Sequence, residues 1–372
     1  MKKLFKVISE SSSMSIEKSN PQISRIVGLD LLRIGLALLI FMFHSWMHFG
    51  CNYYCLNDFV SVGAIAMTGF FLLSGYSLRL VYGQQDLMDK TNLWRFYLKR
   101  LFGVLPLYYV IALTHICLFR TGTITGNLLL FPIEILGLQS TFSSLFTLSH
   151  NTGTWFISCL LLAYLIYPFL QTICKQVNAR YKILLLLCLV FLDVWSSLIT
   201  NYFDISWTYD NPFYRVLEFA CGMIVADLNL TYSNKLLVRL RSWWALIILT
   251  IVLVMGVSIM RHTFQFNDYM LYNIIALPCF ILMLFSLGTP RNIGKNKRLK
   301  AISYLGKISY AFFLVQFFAW KVGKWSIYFI GFDTNWLRIL VTLTYCTIAA
   351  MVLYEVIQKP IDKYLRKKML KQ

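Results

Sequence analysis

Asp30, Arg33, His44 and His48 all lie within one apolar run near the start of the chain. An ionisable side chain in lipid costs about 2.5–3.5 kcal/mol on insertion, so such groups face a protein interior or a water-filled cavity. At about 100° per helical residue, Asp30 and His48 share one direction, and Arg33 and His44 lie about 60° and 40° from it. Arg33 and His44 are eleven residues apart, about 16 Å along a helix axis. One polar stripe thus runs from one membrane face deep toward the other. Histidine is the side chain best suited to remove a proton from a hydroxyl near neutral pH; with a thioester donor, that proton removal is the chemistry of acyl transfer. Arginine offers a fork of donors for a phosphate or carboxylate. The same four residues would also serve as a proton or substrate relay in a transporter. A plainer reading makes Asp30 and Arg33 a boundary ion pair and the histidines satisfied interior groups. His44 and His48 stand at i,i+4, but no Glu, Asp or Cys completes a metal set at recognisable spacing, so no metal is expected.

Other polar residues in apolar surroundings are secondary candidates. Asp193 lies mid-run in Phe-Leu-Asp-Val-Trp, and Glu218 follows Arg215 by three residues, the spacing of an intrahelical ion pair. Lys99 and Arg100 precede a third apolar run, where a positive anchor is their plain reading. His150 and Trp155 flank the start of a fourth, a place where Trp normally belongs to an interfacial aromatic belt.

Positioning these groups is a matter of spans. The 372 residues are 58% hydrophobic and only 14% charged, against roughly a quarter charged in soluble domains. Such a chain is not intrinsically disordered. A bilayer core needs roughly 20 apolar residues per helix. Stretches of that kind lie near 29–49, 59–82, 101–119, 153–173, 183–200, 212–230, 243–260, 269–288, 302–322 and 337–357. The expected fold is therefore all-α, a polytopic membrane protein of about ten transmembrane helices. The formal net charge of +19 would in a polar chain point to nucleic acid. Here 28 of the 35 Lys and Arg residues fall in segments on the side that holds both termini, which makes both termini cytoplasmic and the charge a topology signal. Arg33 and Arg215 sit inside spans. No nucleic-acid partner is expected.

Residues 1–28 form a polar, Ser-rich tail without the apolar stretch of a cleavable signal, and 358–372 form a basic tail. Both are expected to be cytoplasmic, with 29–357 as one transmembrane domain. The apolar segment Leu128 to Leu138, interrupted by Pro132 and Glu134, is too short to span and reads as re-entrant or interfacial. Cys51 and Cys55 share a short loop on the outer side, where a disulfide is possible but not fixed by spacing.

Taken together, these residues resemble the acyltransferase 3 family of integral membrane O-acyltransferases. The run Arg25-Ile-Val-Gly-Leu-Asp-Leu-Leu-Arg33, continuing to His44, is similar to the family's G-x-D-x-x-R segment and its Arg/Lys-x10-His pattern. Gly69-Phe-Phe-Leu-Leu-Ser-Gly75-Tyr76 resembles its F-F-x-x-S-G. Phe96-Tyr-Leu-Lys-Arg100 with Leu105-Pro106-Leu-Tyr108, Trp155 with Tyr167-Pro168, Glu218-Phe-Ala-Cys-Gly222, Ile308-Ser-Tyr310 and Gln358-Lys-Pro360 follow in the family's order. Departures are Gly103 where a second Arg is common, Gln358 where a Glu is common, and the lack of the Glu commonly found between Trp and the Tyr-Pro region.

The resemblance implies ten spans and a multi-pass location in a bacterial inner or plasma membrane. It implies a cytoplasmic acyl-coenzyme A donor, usually acetyl-coenzyme A, and transfer to a hydroxyl of a glycan or glycolipid outside the cytoplasm. It places His44 as general base or acyl relay, Arg33 with Lys99 and Arg100 at the donor, and Asp30, His48, Ser74, Tyr76, Trp155 and Glu218 as supporting or substrate-binding residues. The competing reading is a transporter or flippase for glycan units or acyl groups that uses the stripe as a relay.

Overall fold

The computed structural model describes residues 26–119, 123–141, 152–203, 208–231, 239–266, 268–289 and 297–369. His150 and all but the last residues of the predicted N-terminal tail lie outside these ranges. The described residues are helical, with no strand among them. The principal helices are α1 (Val27–Phe49), α2 (Ala66–Tyr82), α3 (Lys90–Phe119), α4 (Ile124–Ile135), α5 (Trp155–Gln176) and α6 (Ala179–Tyr202). They continue with α7 (Pro212–Thr231), α8 (Trp243–Phe264), α9 (Asn273–Leu287), α10 (Lys297–Ile330), α11 (Asn335–Leu353) and α12 (Lys359–Met369). A turn of π-helix over Tyr354–Gln358 joins the last two.

Among the described residues, eight helical segments are long and apolar enough to cross a membrane. They contain α1, α2, α3, α5, α8, α9, α10 and α11. The other two expected spans are also helices, α6 and α7. Arg215, Glu218 and Asp227 make α7 the more polar of the pair. The chain is therefore an all-α polytopic membrane protein. Helices are forced on it, because lipid offers no partner to an unpaired backbone N–H or C=O.

Local chemistry sets the ends. Gly50 takes the left-handed conformation, φ 65°, and closes α1 through its N–H to the Ser45 carbonyl. Ser242 and Thr334 cap α8 and α11, each hydroxyl accepting from a backbone N–H three residues on. The apolar segment that is too short to span forms α4. Its end is held to α3 by the Tyr108 and Tyr109 hydroxyls, which donate to the carbonyls of Glu134 and Ile135 at 2.7 Å each. Cys51 is buried, Cys55 is exposed, and both are free thiols.

The interior is organised around α2, which packs on α7 and α1, and around α10, which packs on α11 and α1. Small residues allow the closest of these approaches, as is usual where helix association cannot rely on expelling water. A Cβ added at Gly75 would lie 1.9 Å from the Phe219 carbonyl oxygen, and one at Gly222 would lie 1.9 Å from that of Leu72. The two glycines thus bring the backbones of α2 and α7 into direct contact. Large apolar side chains such as Leu187, Trp244 and Ile251 point outward, which carries no penalty against lipid.

Candidate active site

The polar stripe of α1 meets α10 at both of its ends. At the first, Asp30 is buried and its carboxylate lies under Gly306 of α10, where an added Cβ would come within 2.6 Å of Oδ1. Arg33 reaches back one turn to place Nη1 3.0 Å from Asp30 Oδ1, so the i,i+3 pair read from the sequence forms. The Arg33 side chain keeps 28% of its surface accessible.

A second guanidinium joins it. Arg100 of α3 donates from Nη2 to the Tyr82 hydroxyl at 3.2 Å and lies 5.3 Å over the same ring. Arg100 also bonds to Tyr164 of α5, and Arg33 acts electrostatically on that same phenol. Three helices therefore bring two arginines to one tyrosine. The Nε atoms of Arg100 and Arg95 are buried without a hydrogen-bond partner among the described residues. Lys99, one position from Arg100, is exposed on the other side of the helix. Guanidinium groups suit a phosphate or carboxylate.

At the far end of the stripe the imidazole of His44 stacks on the indole of Trp320 from α10, with centroids 5.0 Å apart and planes 18° from parallel. His48 stacks on the same indole at 5.1 Å, and the two imidazoles are 5.6 Å apart. Phe43 packs edge-on to His44 at 5.1 Å. Aromatic contacts therefore fix the ring plane of His44 on two sides. Its Nδ1 is buried without a hydrogen-bond partner among the described residues. His48 is exposed, and no third His, Cys, Asp or Glu joins the pair among the described residues. An imidazole held by stacking, with a nitrogen uncommitted, can take a proton from a hydroxyl placed beside it. Trp320 carries no ionisable group and so gave no signal in a search for charge within spans.

Glu218 and Trp155 belong to a different cluster. Arg215 is wholly buried and donates from Nη1 to both carboxylate oxygens of Glu218 at 2.7 and 2.9 Å, and to Thr68 Oγ1 at 3.2 Å. Its Nε and Nη2 go to the Tyr209 carbonyl at 2.8 and 2.5 Å. The rings of Trp155, Tyr209 and Phe71 surround the guanidinium at 4.8–5.7 Å. Asn273 links Glu218 to Asp193 through its amide, at 3.1 and 2.9 Å. This is a fully built buried ion pair joining α2, α6, α7 and α9. Rings connect it toward His44: Tyr209 meets Tyr269 at 5.2 Å, and Tyr269 meets Phe43 at 5.6 Å.

The remaining candidates sit within α2. Tyr76 is buried and its hydroxyl donates to the Gly288 carbonyl at 3.0 Å while accepting from Asn229 Nδ2 at 2.7 Å. Ser74 returns its hydroxyl to the Phe70 carbonyl at 2.8 Å. Tyr76 thus ties α2 to α7 and to the end of α9.

No curated protein and no solved structure matches this chain. A family described as an acyltransferase domain matches residues 26–355. That match takes in the stripe of α1, both arginines beside Tyr164, the His44 and Trp320 stack and the Arg215 network, and by it the chain belongs to the acyltransferase 3 family.

Proposed function

We propose that this membrane acyltransferase moves an acyl group, acetyl in the first instance, from cytoplasmic acyl-coenzyme A to a hydroxyl of a glycan or glycolipid on the far side of a bacterial cell membrane. The observation that carries the reading is the division of labour along α1. Guanidinium groups stand at the Arg33 end, and a stacked imidazole stands about 16 Å away at 1.5 Å per residue. With both termini cytoplasmic, as the charge distribution predicts, Arg33 and Arg100 face the compartment that holds acyl-coenzyme A. His44 then lies toward the compartment that holds the acceptor.

In this reading Arg33, kept in place by Asp30, and Arg100, kept in place by Tyr82 and Tyr164, grip the phosphates of the donor. The exposed Lys99 adds positive charge at the entrance. The pantetheine arm is the part of the donor long and thin enough to follow the stripe to His44. There His44 takes the proton of the acceptor hydroxyl as its oxygen attacks the thioester carbonyl carbon. The new C–O bond forms, the C–S bond breaks, and the proton returns from His44 to the thiolate. The products are the acyl ester and coenzyme A. His48 and Trp320 hold the imidazole at the right tilt.

The test is to supply the purified full-length protein with acetyl-coenzyme A labelled in the acetyl group and with extracted cell-envelope glycans, then to locate the label. Ester-linked label on glycan, released by mild base, is the expected result. A folded protein that leaves all label on coenzyme A, or that moves glycan units across vesicles without any donor, would overturn the reading in favour of a transporter.

A further inference from the structure

Two side chains on α10 share an unusual condition with His44. Gln316 is 2% exposed and Trp320 is 4% exposed. Gln316 Nε2 and Trp320 Nε1 are both buried without a hydrogen-bond partner among the described residues, as is His44 Nδ1. A buried N–H left unpaired costs about 1–3 kcal/mol. Two such N–H groups, on the helix that carries the stack of His44, mark a place built for something that accepts hydrogen bonds.

The three lie on one seam. α1 and α10 run side by side in the same direction, with Asp30 under Gly306, Phe41 against Phe312 at 5.9 Å, His44 on Trp320 and Phe49 beside Gly323. Gln316 falls between Phe312 and Trp320, four residues before the indole, about 6 Å along the axis and on the same side of the helix. Its phase lies between those of Phe312 and Trp320, both of which touch α1. An indole can only donate, and the Gln316 amide, on the same face of the helix, carries a buried NH2 without a hydrogen-bond partner among the described residues.

We propose that Gln316 and Trp320 are catalytic residues whose N–H groups bind the acyl carbonyl oxygen of the donor beside His44 and stabilise the negative charge that develops on it. The proposal rests on the acyl-transfer reading above and assigns the part of that reaction which His44 cannot perform. As the acceptor oxygen attacks, the carbonyl π electron pair moves onto the carbonyl oxygen, which the two N–H groups hold. His44 holds the hydroxyl proton. Collapse re-forms the C=O bond, expels the thiolate, and His44 protonates it. Donors placed in a dry site beforehand act in this way without reorganising as the charge appears, and losing one costs about 100- to 1,000-fold in kcat. The stack on Trp320 gives the indole a second role, since one side chain then fixes the base and the oxyanion together.

The test uses Trp320→Phe, which keeps an aromatic ring against His44 but has no N–H, and Gln316→Met, which keeps length and helix preference without a donor. Gln316→Leu serves if the methionine variant does not yield monodisperse protein. Two readouts are taken in detergent. One is kcat for acetyl transfer alongside the Kd for acetyl-coenzyme A; the other is the infrared carbonyl stretch of bound acetyl-coenzyme A carrying 13C at the carbonyl. We expect kcat to fall about 100-fold or more in each variant, with Kd changed less than about threefold. The carbonyl band, lowered in the wild-type protein, should move back toward its frequency in water-free solvent. Folded variants with wild-type kcat and an unmoved band would overturn the assignment while leaving acyl transfer intact. A wild-type protein that neither binds acetyl-coenzyme A nor transfers its label would instead remove the reading on which the assignment rests.

Discussion

The imidazole of His44 and the indole of Trp320 lie face to face, 5.0 Å between centroids and 18° from parallel, although 275 residues of chain separate them. The contact joins α1 to α10 and fixes the plane in which the imidazole can meet a hydroxyl. A stacked ring loses its freedom to rotate out of register, and geometry of this kind is worth as much to a general base as its basicity.

His44→Ala is expected to abolish acyl transfer, with a loss of at least about 100-fold, the usual contribution of a positioned base. The protein should still insert and accumulate, because among the described residues His44 is held by ring stacking and not by a hydrogen bond of the fold. His48→Ala, which removes only an exposed neighbour of the stack, should cost less than the His44 change. Transfer rates normalised to folded protein decide this, and ordinary activity in a well-expressed His44→Ala protein would sink the mechanism.

Arg33→Lys keeps the charge and loses the fork. The expected result is weaker use of the donor, seen as a KM for acyl-coenzyme A raised about tenfold, the equivalent of 1.4 kcal/mol. The maximal rate with saturating donor should fall less. An unchanged dependence on donor concentration would remove Arg33 from the donor site.

Arg215→Met leaves the Glu218 carboxylate buried without its bidentate partner. Breaking such a buried pair costs about 3–5 kcal/mol, so the variant should lose thermal stability or fail to accumulate. Glu218→Gln keeps an acceptor for the guanidinium and should be milder. Thermal unfolding in detergent, followed by loss of monodisperse protein, ranks the two. Equal stability of wild type and Arg215→Met would contradict the view that this network is structural.

Cys55 should react with a membrane-impermeant maleimide added from outside intact cells, and Cys51 should not. Cys55 is exposed, while burial holds the Cys51 thiol and pushes its pKa up. Single-cysteine variants read this directly. Labelling of Cys55 only after the membrane is broken would reverse the topology, and with it the direction of transfer.

Much of the architecture was already legible in the order of residues. Length and apolarity decide whether a segment can span, and both are local properties, so all ten expected stretches are helices. The phase of Asp30, Arg33, His44 and His48 on α1 is likewise fixed by 3.6 residues per turn before any neighbour is known. The short loop of Cys51 and Cys55 was readable as a loop, but not as two free thiols with opposite exposure. Nor did spacing separate Glu218 and Trp155, which serve the Arg215 network, from the residues around His44.

Those distinctions are decided by which face of each helix meets which neighbour. Hydropathy cannot encode that choice in a membrane, because lipid tails are as apolar as a leucine face and helices gain nothing simply by hiding from them. The choice falls to close steric fits such as Gly75 on Phe219, Gly222 on Leu72 and Gly306 on Asp30, and to hydrogen bonds between distant parts of the chain. The sequence by itself determined the helices and the polar stripe of α1. Tertiary packing supplied the partners that spacing could not, Tyr164 at one end and Gln316 and Trp320 at the other, whereas Arg100 was already marked by the family resemblance.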